Sequence, residues 1–305
     1  MYIWKNKRSL GLILCSMIFI FSCQNEVINP DQSYSFFVAG HTYGQPWIDH
    51  IGLYPPFQQK FDLINTRNAS LGFLTGDIVK KGTEKNWNEV DSVLTYLDAK
   101  VFYIVGNHDL TDRELFENRY GRTYFSFKKH KDLFIILDPN MDHWNISGMQ
   151  LDFLKETLMN TADTRNIFVF FHQLLWWDKN NKYQFVRMNS MEGRADTINF
   201  WDEIIPLFKE IKKPVAMFAG DMGAVNWSDS YTYDFDSILN ITFIGSGMGN
   251  EDSDNFIIAH VSDSGCVDYE LIALNGDDIH ALGKLEDYQL PTEYPIKKEW
   301  LNYGD

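Results

Sequence analysis

"VFYIVGNHD", Val101 to Asp109, decides how this chain is read: a run of apolar, β-prone residues passes straight into Gly-Asn-His-Asp. Working outward, the same construction recurs. "LGFLTGD" (71–77) ends in Asp77, "IFVFFHQ" (167–173) presents His172, "VAMFAGD" (215–221) presents Asp221, and "SFFVAGHTYG" (35–44) presents His41. "LFIIL" at 133 is a further strand of this kind, and "ITFIGSG", "FIIAHV" and "YELIAL" near the end are strands with no helix between them. Between the earlier strands, Trp87, Val90, Leu94 and Leu97 fall at helical spacing, as do Leu151, Leu154 and Leu158. Thr111 with Glu114, and Ser147 with Gln150, have the spacing of capping boxes. Continuous apolar strands followed by helices imply sheets covered by helices, hence a layered α/β domain. Ligands in such folds gather outside the carboxyl ends of the strands, where all these polar residues sit.

Carboxylate, amide oxygen and imidazole together suit a divalent metal that hydrolyses phosphate esters. The residues also carry a family resemblance. Gly76-Asp77, then Gly106-Asn107-His108-Asp109 beginning 29 residues after Asp77, then His172 behind an apolar strand, resemble the calcineurin-like metallophosphoesterases. "YGRTYFSFKKHKDLFIILDP" (120–139) and "SGMQLDFLKETL" (147–158) are similar to that family's connecting strands and helix, and the resemblance spans about residues 34 to 275. It implies a four-layer α/β/β/α sandwich and two metals bridged by Asp77, with Asn107 and His172 on the second metal. It also implies His108 as phosphate contact or acid toward the leaving group, Asp109 orienting His108, and attack on phosphorus by hydroxide generated at the metal.

Two motifs depart from that pattern. The family opens with Asp-x-His, where this chain has Gly40-His41-Thr42-Tyr43-Gly44. Aligning the glycines puts His41 and Tyr43 at the ligand positions; a shifted frame uses Ala39 and His41 instead. The family closes with Gly-His-x-His, where this chain has Gly220-Asp221-Met222-Gly223. By that count the second-metal set is Asp77, Asn107, His172 and Asp221. The first keeps Asp77 and His41, with Tyr43 as phenolate or as wall, and loses its last histidine to Gly223. Asp221 is then a replacement ligand in a lopsided site, the bland alternative being a turn cap; His41 has a structural histidine as its alternative. The expected cofactor is one or two divalent ions among Mn, Fe, Mg and Zn.

The loop "QLLWWDKNNKYQFVRMNSMEGRADT" (173–197) is the expected substrate segment. Trp176 and Trp177 are candidates to stack on a sugar or base, and Lys182, Arg187 or Arg194 to hold an anion. The alternative packs the tryptophans beneath the loop and leaves the charges solvated.

The chain has 305 residues, 45% hydrophobic and 15% aromatic, enough for one large core. Its net charge of -15 becomes -18 without residues 1–22, which carry Lys5, Lys7 and Arg8. Such a surface repels nucleic-acid backbones, so no nucleic-acid partner is expected. A basic start, the apolar "LGLILCSMIFIF" (10–21) and "IFSC" (20–23) resemble a bacterial lipoprotein signal. The expected organisation is a signal peptide at 1–22, lipidated Cys23 opening a tether at 23–33, the phosphoesterase-like domain at 34–275 and a packed tail at 276–305. Of three cysteines, Cys15 leaves with the signal and Cys23 carries lipid, so no intramolecular disulfide is expected.

The functional expectation is a metal-dependent hydrolase of phosphate mono- or diesters. It would be lipid-anchored in the cell envelope, on the periplasmic face or the cell surface. Its substrate would be a phosphorylated small molecule or a glycan- or lipid-linked phosphate. The competing reading is a binding or scaffold protein that kept the fold and lost hydrolysis.

Overall fold

A computed structural model describes residues 33–48 and 50–291. The signal peptide, Cys23, nearly all of the tether and the end of the tail therefore lie outside the described residues.

In chain order the strands are β1 (Tyr34–Ala39), β2 (Ala69–Thr75), β3 (Lys100–Ile104), β4 (Phe125–Lys129), β5 (Asp132–Ile136), β6 (Ile167–Phe171), β7 (Val215–Ala219), β8 (Tyr231–Asp236), β9 (Ile241–Ser246), β10 (Asn255–Val261) and β11 (Val267–Ala273). The α-helices are α1 (Pro55–Gln58), α2 (Phe61–Thr66), α3 (Glu84–Leu94), α4 (Arg113–Tyr120), α5 (Gly148–Met159) and α6 (Ile205–Ile211). One sheet runs β11-β10-β1-β2-β3 and the other β4-β5-β6-β7-β9-β8. The first sheet is parallel across β1-β2-β3 and antiparallel on its β10-β11 side; the second is parallel at its centre, with antiparallel β4 and β8 at its flanks.

Strands buried on both faces read as unbroken apolar runs, and here the reason is visible. Between the sheets lies an aromatic core: Phe73 stacks on Phe170 at 3.9 Å, and Phe36 meets Phe73, Phe134 and Phe168 edge-on. Contacts of this type add about 0.5–1.5 kcal/mol each beyond the area they bury. On the outer face of the first sheet, Phe57, Phe61, Ile64, Trp87, Val90 and Phe116 bring in α1 to α4. On the outer face of the second, Leu154, Leu158, Ile205 and Phe208 bring in α5 and α6. The result is the expected α/β/β/α sandwich.

Local expectations fared less evenly. Helix α3 ends at Leu94, so Leu97 lies beyond it. Helix α4 is capped by Asp112, whose carboxylate accepts from the Leu115 amide, while Thr111 accepts from Gly82 instead. Ser147 precedes α5, but its hydroxyl donates to Asp142, and Gln150 is spent on the backbone of Asp138. Strand β8 has no counterpart in the sequence reading. The tail as far as residue 291 runs along β8, with Leu285 buried and the Leu290 amide donating to the Tyr233 carbonyl. Cys266 is disulfide-bonded, against the expectation of no disulfide; its partner lies outside the described residues.

Candidate metal centre

Five strand ends converge on one buried point. His41 follows β1, Asp77 follows β2, Asn107 and His108 follow β3, His172 follows β6 and Asp221 follows β7. His41 and Asp77 both adopt left-handed backbone, with φ of 50° and 51°. Gly76 is left-handed too, and a Cβ there would fall on the His172 ring, so only glycine lets β2 and β6 close on each other.

At the centre, Asp77, His172 and Asp221 each offer a ligand atom, all within 4.8 Å of one another. His172 donates from Nδ1 to the Thr75 carbonyl at 2.9 Å, the contact to a second group that commonly fixes a ligating imidazole. Its Nε2 is thereby left as a lone pair, 3.4 Å from Asp77 Oδ1 and 3.9 Å from Asp221 Oδ1. No hydrogen-bond partner meets that nitrogen among the described residues. Three acceptors crowded in a dry site need a cation between them, and the donor set of two carboxylates and an imidazole fits a divalent metal.

The protonation balance says the same in another form. Burial disfavours charge on His172, but the carboxylates of Asp77 and Asp221 outweigh it and push its pKa up to about 10. Burial works against the charge on Asp77, but the surrounding imidazoles of His172, His41 and His108 hold it below the usual carboxylate range. Asp221 is pushed up to about 6, mainly by burial.

Asn189, from the loop after His172, donates to Asp221 Oδ1 at 2.9 Å and fixes that carboxylate, a role that no local pattern marks. Asn107 is half-buried, and its side chain makes no hydrogen bond among the described residues. The His108 amide donates to Asp77 Oδ1 at 3.1 Å, and its ring Nδ1 sits 3.0 Å from the Lys80 carbonyl.

Asp109 does not orient His108. One of its oxygens accepts from the Ile78 and Val79 amides and the other from Gly106, so it staples the loop after Asp77 to the loop after β3. Burial, reinforced by Asp77, raises its pKa to about 7.

His41 is fully buried with Nε2 3.5 Å from Asp77 Oδ2, outside the group of three. Tyr43 lies with its ring between His41 (4.3 Å) and His108 (5.0 Å). Burial first, then Asp77, raises the Tyr43 phenol far above its ordinary value, and its ring packs as a wall of the site against the two histidines.

The loop residues 173–197 take mostly structural positions. Trp176 is fully buried against Phe171 and Phe243, in the core rather than on a substrate surface. Trp177 is half-buried, with the Arg194 guanidinium 5.8 Å over its ring. Arg194 also covers Trp144 and lies 3.8 Å from Asp178, and Lys182 pairs with Asp234 at 2.7 Å. Arg187 is exposed and paired with Asp229 at 2.6 Å. None of these cations is arranged to receive an anion at the buried cluster.

Among solved structures, the chain is similar to a dimetal phosphatase from Danio rerio, at 12% identity and a TM-score of 0.55, over 80% of this chain and 98% of that one. It is also similar to a purple acid phosphatase from yellow lupin seeds, at 11% identity and a TM-score of 0.56, over 85% of this chain and about half (52%) of that one. No curated protein sequence matches it. These likenesses concern the fold. The sequence profile of calcineurin-like phosphoesterases matches residues 41–246, from the first site histidine to the end of β9 and well over half of the chain, and the protein belongs to that family.

Proposed function

We propose that this phosphoesterase acts through a cation held by Asp77, Asn107, His172 and Asp221, with His108 as the residue that meets the substrate phosphate. The observation that carries this is the buried convergence of Asp77, His172 and Asp221 on the unpartnered Nε2 of His172. A divalent ion there would supply Lewis-acid charge and lower the pKa of water at the reaction centre.

The chain's own residues do the rest. Thr75 fixes the His172 tautomer, and Asn189 fixes the Asp221 carboxylate. With His108 Nδ1 engaged by the Lys80 carbonyl, Nε2 is the atom left for a phosphoryl oxygen, donating when the ring is charged. Asp109 keeps the Asp77 and His108 loops at a fixed separation. Two carboxylates make a harder site than a histidine-rich one and favour Mn, Mg or ferrous iron over Zn.

The test is metal analysis of purified protein beside hydrolysis of a panel of phosphate monoesters and diesters. Loss of bound metal and turnover together in His172→Ala is expected, with metal retained and turnover lost in His108→Ala. Equal metal loss in both would refute this division of roles.

For location, the lipoprotein-like start supports export and anchoring through Cys23, with an envelope phosphate ester as substrate. A Cys23→Ser chain should leave the membrane fraction. Intact mass distinguishes an acylated Cys23 from an unmodified one.

A further inference from the structure

The Danio rerio protein whose solved structure this chain is similar to is a dimetal phosphatase, and a second cation here would have to sit on the far side of Asp77. The donors on that side do not fit one. Asp77 Oδ1 faces His172 and the His108 amide, while Oδ2 faces His41 alone, at 3.5 Å. Both ring nitrogens of His41 lack a partner among the described residues, yet no second carboxylate, thiolate or imidazole joins His41 and Asp77 in a group of three. The ring of Tyr43, packed at 4.3 Å from His41, occupies the neighbouring volume.

Position 223, where the family pattern places its last histidine, cannot be repaired by a side chain. Gly223 is left-handed at φ 77°, and a Cβ there would lie 2.7 Å from the Met248 amide nitrogen and 3.0 Å from the Gly247 carbonyl carbon. Both obstacles are main chain, so this loop has been rebuilt around glycine and not merely substituted.

We infer that the centre is built for one cation, and that His41 and Tyr43 fill the space a second would need. Resting on the metal reading above, Asp77 then acts as a terminal ligand through Oδ1, with His41 positioning its other oxygen. His41 is thus a positioning residue and not a ligand.

Manganese tests this without reference to turnover. Metal-free protein titrated with Mn(II) should take up one equivalent, even with the ion in several-fold excess. Its electron paramagnetic resonance spectrum should be that of an isolated ion. Two equivalents, or an exchange-coupled spectrum, would overturn the inference while leaving the metal reading intact. No uptake at all would sink both. In His41→Asn, which keeps a polar side chain beside Asp77, one equivalent should still bind, with affinity weakened by at most about 10- to 100-fold, as for residues that orient ligands. His41→Gln serves in its place if circular dichroism shows the asparagine variant unfolded. If uptake were lost in the folded variant while His172→Ala retained it, His41 would be the ligand and the inference wrong.

Discussion

Around Asp77 Oδ1 the chain gathers the His172 lone pair, the Asp221 carboxylate and the His108 amide, with the His172 ring held by Thr75, the Asp221 carboxylate by Asn189 and the His108 ring by the Lys80 carbonyl. Around Oδ2 it places one histidine and an aromatic ring, neither with a supporting hydrogen bond to its side chain among the described residues. One carboxylate thus separates an organised half from a filled half. Ligands in working metal sites are oriented by residues behind them, and such support is present on one side of Asp77 and missing on the other.

The largest effect that would break this contrast is at its hinge. Asp77→Asn removes the charge shared by both halves and should leave no bound metal and only background hydrolysis, measured by elemental analysis and phosphate release. Retained metal would mean that the organised half is not organised by Asp77. On that same half, His108→Ala should keep its metal and lose about 10² to 10⁴-fold in turnover, the usual value of a positioned acid. Asp221 offers a graded test: Asp221→Ala should weaken binding, and Asp221→His should move preference from Mn toward Zn, read by competition between the two ions. Unchanged affinity in Asp221→Ala would reduce Asp221 to a turn cap. Asn189→Ala, one step further out, should cost about 10- to 100-fold in metal affinity, recovered in part by Asn189→Gln. Smallest of all, Arg187→Ala breaks only an exposed pair with Asp229, worth about 0–1 kcal/mol, and should leave hydrolysis of small esters unchanged.

The residues at the strand ends were legible in the sequence because parallel strands buried on both faces leave nothing polar until they end. Asp77, Asn107, His108, His172 and Asp221 stand out against such runs. What could not be read depends on distant partners. Strand β8 carries Asp234 at its centre, which looks like a break until Lys182, Tyr183 and Gln289 are found to satisfy it. Trp176 and Trp177 are neighbours in a loop, but only the first turns back into the core, a choice made by Phe171 and Phe243. Asn189 reaches Asp221 across 32 residues of chain with no local signal. Asp109 carried a family expectation whose spacing was right and whose partner was wrong: its carboxylate serves the backbone.

The left-handed backbone at His41 and Asp77 has a consequence for evolution and engineering. Each such residue carries about 1–3 kcal/mol of backbone strain that a glycine would not. A library selected only for heat tolerance should therefore drift toward glycine at these two positions and lose the centre first. Histidine and aspartate at these two positions carry a cost that thermal robustness alone would not maintain.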